Sequence, residues 1–409
     1  MKNFLTEKYL EKRSEFGDWN YLLSSDGLKI PFTSGDFYPL NPAKVLPRQI
    51  KKYLENKIWT PIIINFRAVN NCSDNCFYCQ TRTLRTNRQN LSFNDYKNII
   101  IKLAQAGVIA IRFDGLGEPL LIDRFEKIIE LARREGILVS IISNGTNNFK
   151  NLDQLATKAS FIRFSLDAAT KKTHDIIHFP QKNDNFDIRI KNIKKICDIR
   201  SKKNPKCIIG GHFVINQKNF YEIIDFAKLM KKIGADFADF CLLKTNVMTI
   251  SESAVNLKKS AEKYLNQARS LETKNFHILY RDGKEESGMI KKKLLENYLK
   301  NGEICWQSYL RPTVNAFGQL IGCGKYEEQA RFSSTTPSIL LTKKTINQLI
   351  NHSNLIKKFK SAYCFGFGPC YFTSFNYKVN LMIKKLKNNP QVTFSRVKIK
   401  NGQLFKFFD

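Results

Sequence analysis

From Thr60 to Lys244 the chain alternates short apolar runs with stretches of helical periodicity. The runs are Ile62 to Phe66, Val108 to Phe113, Ile137 to Ile142, Phe161 to Leu166, Cys207 to Ile215 and Phe237 to Leu243. All are rich in Ile, Val and Phe and read as strands. Between them lie the amphipathic stretches Phe93 to Gln105, Phe125 to Arg134, Leu152 to Lys158, Ile188 to Ile199 and Phe220 to Ile233, with Ser92 and Asp123 as capping residues at two of their starts. Strands alternating with helices predict an α/β fold on a parallel sheet, either open or curled into a partial barrel.

The flanks read differently. Residues 1–58 are mixed and polar, with turn signals at Ser25-Asp26-Gly27 and between Pro39 and Pro47, and form an N-terminal extension. Residues 59–245 are the core. After Lys244 the strand rhythm stops, and 246–303 read as a Lys- and Glu-rich helical bridge with one strand near His277 to Tyr280. Residues 304–377 form a small Cys-bearing α+β module. The basic tail, 378–409, carries a hairpin in which Val392 to Lys400 and Gln403 to Phe408 flank Asn401-Gly402.

Composition narrows the classes. Hydrophobic residues make up 43% of 409, enough to fold and too many for a disordered chain. Charges at Lys8, Glu11, Lys12, Arg13 and Glu15 interrupt any signal-peptide core. No apolar run reaches the roughly 18 residues of a membrane span, so the expectation is a cytoplasmic protein with no membrane partner. Ten Cys in such a compartment point to metal or redox chemistry rather than disulfides. The net charge of +31 favours anionic partners, but Lys is spread along the whole chain without an arginine-rich block or an aromatic platform. Nucleic acid is therefore not an expected partner.

The chemistry begins directly after the first strand, at Cys72-Ser73-Asp74-Asn75-Cys76-Phe77-Tyr78-Cys79. Three thiolates on one loop can ligate three corners of a cubane cluster and leave the fourth iron open to a small molecule. A zinc knuckle is the structural alternative, but it lacks a fourth local ligand. The spacing, its place after the first strand and the aromatic Tyr78 resemble the radical S-adenosylmethionine (SAM) superfamily.

That resemblance implies a partial (β/α)6 TIM-like barrel. It also implies a 4Fe-4S cluster on Cys72, Cys76 and Cys79 whose open iron chelates the methionine end of SAM. Electron transfer from the cluster, fed by an external one-electron donor such as flavodoxin or ferredoxin, then splits the sulfonium to a 5'-deoxyadenosyl radical that abstracts a substrate hydrogen.

Further motifs follow in chain order. Asp114-Gly115-Leu116-Gly117-Glu118-Pro119 is similar to the family's Gly-Gly-Glu-Pro motif, with Leu116 in place of its first Gly. Gly117 would let the backbone approach the cofactor, and the Glu118 carboxylate would accept from its ammonium group. Ser143 and Asn144 end the third strand like the family's polar cap. Strand alternation puts Ser165 and Asp167 on one face, within reach of the ribose hydroxyls, and Val214 or Ile215 could pack on adenine.

A second set, Cys305, Cys323, Cys364 and Cys370, with Gly318 at the tip of a hairpin from Arg311 to Gly324, resembles the auxiliary SPASM modules and their shorter relative Twitch. It implies one further 4Fe-4S cluster. The same four donors equally suit a structural zinc. Cys197, Cys207 and Cys241 lack cluster spacing and read as buried hydrophobes, with Cys241 on the sixth strand the best placed of them for catalysis. His174 and His178 share a face if their segment is helical, which reads as an accident of the helix rather than a metal site. The runs Lys291-Lys292-Lys293 and Lys384-Lys385-Leu386-Lys387 read as solvated faces.

The expectation is an oxidoreductase-like or C–H-functionalising radical SAM enzyme acting on a peptide or protein. One alternative is radical oxidation or rearrangement of a sugar, cyclitol or other small anionic metabolite. The other is a non-catalytic metal-cluster protein that docks nucleic acid.

Overall fold

The computed structural model describes residues 10, 19–33, 40–56, 60–67, 69–79, 81–82, 85, 90–146, 151–180, 186–243, 252–281, 305–322, 338–340 and 373–398. In chain order they form the hairpin β1 (Trp19–Ser24) and β2 (Lys29–Thr33), helix α1 (Pro42–Asn56), and then a βα series. The series runs β3 (Ile63–Arg67), α2 (Phe93–Gln105), β4 (Ala110–Phe113), α3 (Phe125–Arg134), β5 (Leu138–Ser143), α4 (Leu152–Lys158), β6 (Phe161–Ser165), α5 (Lys171–His178), α6 (Phe186–Lys203), β7 (Ile208–Ile215), α7 (Ile223–Lys232), β8 (Phe237–Leu242), α8 (Glu252–Arg269) and β9 (His277–Arg281). Then come α9 (Trp306–Leu310), β10 (Thr313–Asn315), β11 (Gln319–Ile321), β12 (Ser338–Leu340), α10 (Thr373–Asn388) and β13 (Phe394–Lys398).

Strands β3 to β9 lie side by side in sequence order, every pair parallel. Their apolar runs are continuous because both faces are covered. On one face Ile64, Phe66, Ile111, Phe113, Val139, Ile141, Ile162, Phe164, Ile209 and Phe213 meet the helices. On the other, Phe161, Ile208, Phe237 and Leu279 close on each other with Ile142 beside them. Full burial of such side chains contributes roughly 1.5–3 kcal/mol each, which makes these two layers the main source of stability.

The six sequence-derived strands are all present, but Ile62, Val108, Ile137 and Cys207 stand just before theirs. These residues are buried in the connections, so their apolarity does not mark a strand end. Ser92 caps α2 in a capping box, its Oγ accepting from Asp95 N while the Asp95 carboxylate accepts from Ser92 N. Asp123 does not cap α3. The N-cap is Arg124 with φ 51°, and the Asp123 carboxylate instead takes Arg124 Nε at 3.0 Å.

The rhythm does not stop at Lys244. Helix α8 and strand β9 continue it, β9 pairing parallel to β8. The sequence disguised this unit because α8 is mostly polar or charged, and of its described side chains only Ala261, Leu265 and Ala268 are fully buried. On the other side of β3 lies β10, parallel to it, followed by the antiparallel β11 and β12. The hairpin expected over Arg311 to Gly324 is thus present as β10 and β11, with Gly318 at φ 72° in its turn.

The first and last described strands are joined. β13 pairs antiparallel with β1, giving the sheet β13-β1-β2, and α10 packs on α1. A second core, with Leu46, Ile50, Trp306, Leu310, Val379, Met382 and Leu386, seals Ile62, Ile63, Ile109 and Leu138 at the start of the barrel strands. Residues 378–398 are therefore built into the fold. Leu386 of the Lys384 to Lys387 run is buried, and Lys385 bonds Asp26 at 2.5 Å. The first hairpin arm near Val392 pairs with β1; the Asn401-Gly402 turn, the arm Gln403 to Phe408 and Lys291-Lys292-Lys293 lie outside the described residues. No described helix is long and apolar enough to cross a membrane.

Candidate active site

The loop after β3 carries Cys72, Cys76 and Cys79, all partly exposed. Its backbone is tied on two sides. Asn75 N donates to His178 O at 2.8 Å and Phe77 N to Ile177 O at 3.1 Å, at the end of α5, while Glu118 N donates to Asn71 O at 2.7 Å. Gly117 makes the second tie possible, because a Cβ there would stand 2.1 Å from Asn71 O. This motif glycine thus serves the approach of the cysteine loop to the β4 turn.

Beneath the loop lies a buried ionic chain. Arg189 of α6, fully buried, forks onto Asp74 with Nη1 to Oδ2 at 2.9 Å and Nη2 to Oδ1 at 2.6 Å. Burial alone would raise the Asp74 carboxyl, but Arg189 and His178 hold it well below the usual carboxylate range. His178 spans the chain: Nδ1 lies 3.0 Å from Asp74 Oδ2 and 3.1 Å from Cys76 Sγ, and Nε2 lies 3.0 Å from Asp167 Oδ2. His174 stacks on His178 at 4.5 Å between centroids. The donor atoms of Asp74, His174 and His178 come within 4.8 Å of one another, but Arg189 already supplies the cation there.

Each sulfur has a donor nearby. Asn144 Nδ2 is 3.9 Å from Cys72 Sγ, His178 Nδ1 is 3.1 Å from Cys76 Sγ, and Arg85 Nη2 is 3.0 Å from Cys79 Sγ. Burial pushes the Cys72 thiol up to about 12. A metal that takes its proton relieves that penalty, and three thiols ringed by donors suit an anionic cluster.

The cofactor-side residues also come together. Glu118, buried, accepts from Leu120 N and Ser143 Oγ on Oε1 and from Asn144 N on Oε2, while burial lifts its carboxyl to about 7. Ser165 ends β6 and is half-buried. Asp167 does not share its strand alternation. The strand ends at Ser165, and Asp167, at φ 54° and fully buried, accepts from Tyr78 Oη and from Val214 N at 2.6 Å, with His178 Nε2 3.0 Å from its Oδ2. Its carboxylate faces these partners instead of an open pocket. Val214 is half-buried, whereas Ile215 lies in the core.

Sequence reasoning missed Asp74, Arg85, Arg189 and His178 as parts of the site. Only the His174/His178 spacing signalled any of them. It also missed a polar set on β6, β7 and β8, where Arg163 Nη1 lies 3.1 Å and His212 Nδ1 2.9 Å from Asp239 Oδ2, with Cys241 Sγ 3.6 Å from His212 Nε2. Cys197 and Cys207 are buried. Cys305, also buried, opens α9, and Ser308 Oγ and Asn376 Nδ2 donate to its sulfur. Helix α9 leads to the start of β3 through Ile62 N donating to Leu310 O, so Cys305 stands toward the barrel end opposite the three-cysteine loop. Cys323, Cys364 and Cys370 lie outside the described residues.

Residues 67–230 match the Radical SAM superfamily. No curated protein sequence matches the chain. Among solved structures, Streptococcus suis SuiB bound to SAM is similar over 79% of this chain and 75% of its own, at 14% identity and a TM-score of 0.56. SuiB bound to the precursor peptide SuiA is similar over 82% and 76%, at 15% identity and 0.53. The structure of anSMEcpe with AdoMet and the Cp18Cys peptide is similar over 80% and 99%, at 15% identity and 0.50. At these identities the likeness is one of fold.

Fold and domain match together define an α/β enzyme whose domain is of the kind that carries a 4Fe-4S cluster and SAM. Residues 67–230 of the chain are a radical SAM domain.

Proposed function

We propose that Cys72, Cys76 and Cys79 bind the catalytic 4Fe-4S cluster, and that the enzyme abstracts a hydrogen from a peptide or protein substrate. The observation that carries the assignment is the three-thiol loop, fixed at the ends of β3 and α5 with a hydrogen-bond donor near every sulfur. When bound, the cluster supplies the electron that splits SAM into methionine and a 5'-deoxyadenosyl radical.

The chain's own residues bind and orient. The Arg189–Asp74–His178 chain holds the loop from beneath. Glu118 Oε2 accepts one described hydrogen bond, from Asn144 N, which leaves a lone pair for the ammonium of SAM. Ser143 and Asn144 fix that carboxylate. Gly117 and Tyr78 shape the loop's flanks, Tyr78 through Asp167, and the half-buried Ser165 is the group of this set with a side chain left to meet a ribose. On the inner wall, Cys241 beside His212 is the thiol best placed to meet a substrate.

The peptide assignment is supported by fold neighbours whose structures contain a precursor peptide and the Cp18Cys peptide. The Arg163, His212 and Asp239 set favours a second reading, a small anionic metabolite. The auxiliary site is assigned to Cys305, Cys323, Cys364 and Cys370, in a module spanning about 304–377. The reduced state its clusters need supports a cytoplasmic setting and a flavodoxin- or ferredoxin-like donor.

Anaerobically purified, reduced protein incubated with SAM should release 5'-deoxyadenosine, and Cys76→Ala should abolish it. Iron-replete wild-type protein that gives none contradicts the assignment. In the variant lacking Cys72, Cys76 and Cys79, about four irons and no zinc are expected at the auxiliary site; zinc would make it structural.

A further inference from the structure

We propose that Arg85 is a positioning residue that sets the reduction potential of the cluster through the sulfur of Cys79. The inference rests on the assignment of Cys72, Cys76 and Cys79 as cluster ligands. Arg85 belongs to neither cysteine motif, and its guanidinium is fixed in three directions at once. Its Nε donates to Leu116 O at 2.7 Å, its Nη1 to Asp74 O at 2.9 Å and its Nη2 to Cys79 Sγ at 3.0 Å. Two backbone carbonyls, one on the cysteine loop and one on the turn after β4, therefore hold the planar fork in place.

Arg85 is also the steadiest of the donors around the sulfurs. Thr81 Oγ1 lies 3.2 Å from Cys79 Sγ, but it lies the same distance from Leu116 O, and one hydroxyl hydrogen cannot serve both. At Cys76, His178 Nδ1 divides its single position between the sulfur and Asp74, and its donation depends on the tautomer. A guanidinium is charged at every pH the protein meets.

A fixed cation that donates to a ligating sulfur draws electron density from the cluster. It stabilises the reduced state, which carries one more negative charge, and so raises the potential. Leu116, where the family motif has its first Gly, contributes the carbonyl that orients Nε. The guanidinium touches neither substrate nor reacting atoms in this arrangement; it acts through Cys79.

The test is an EPR-monitored redox titration of anaerobically reconstituted full-length wild type, Arg85→Lys and Arg85→Met, following the signal that responds to SAM and counting iron in parallel. Both variants are expected to keep wild-type iron. The midpoint should move to more negative potential in Arg85→Met, with Arg85→Lys between, because an ammonium keeps the charge and loses the fork. Unchanged midpoints at full iron would overturn the proposal. Iron loss in both variants would also overturn it, since Arg85 would then be a clamp on the loop. A wild type without a SAM-responsive cluster would instead sink the underlying ligand assignment, and this inference with it.

Discussion

At His212, burial and the charge of Arg163 oppose protonation, but Cys241 and the Asp239 carboxylate outweigh them and lift the pKa from 6.5 to about 9. A histidine raised in this way contributes stability that is fully present below pH 6.5 and is lost as pH rises through about 9. The contribution is on the order of 3 kcal/mol. Urea unfolding at pH 6 and at pH 9.5 should show a loss of that size in the wild-type apoprotein, and a smaller one in His212→Gln. Equal losses in both would mean that the imidazole carries no net charge in the fold. Asp74 and Arg189 follow a different logic: each is fully buried, so either alone would be an uncompensated charge, and together they brace the cysteine loop.

Elements were legible where burial is two-sided. The runs at Ile137 and Phe161 are continuous because their strands meet helices on one face and each other on the inner face, and that composition survives in any reading of the sequence. The three cysteines were legible because one loop carries all of them. Arg189 and His178 were not, since they reach Asp74 from more than a hundred residues away, and a lone Arg on a helix reads as surface. Asp167 was misplaced because alternation was extended two residues beyond the last paired residue of β6.

The docking of loop on turn gives an element-level prediction. Gly117→Ala drives a Cβ into Asn71 O and against Val69 O, and must displace the cysteine loop. We expect the variant to keep its far-ultraviolet circular dichroism and to bind markedly less iron on reconstitution. Wild-type iron in Gly117→Ala would show that the loop does not depend on this contact.

Across the whole molecule, α1 and α10, with the β13-β1-β2 sheet, close one end of the barrel and the three-cysteine loop stands at the other. The seal is legible only in part from sequence, because β13 and β1 pair across almost the entire chain and neither predicts the other. Met382 of α10, fully buried, belongs to that seal. Met382→Ala should cost about 2–5 kcal/mol in chemical denaturation. A cost below about 0.5 kcal/mol would mean that the terminal unit stabilises the barrel little.

Whether one iron at this loop stands open to SAM is read most directly by the EPR spectrum of the reduced wild-type protein recorded with and without SAM. The spectrum of a 4Fe-4S centre should change on addition of SAM, and the change should be missing in the variant lacking Cys72, Cys76 and Cys79. An iron-loaded wild-type protein whose spectrum is indifferent to SAM would contradict the account.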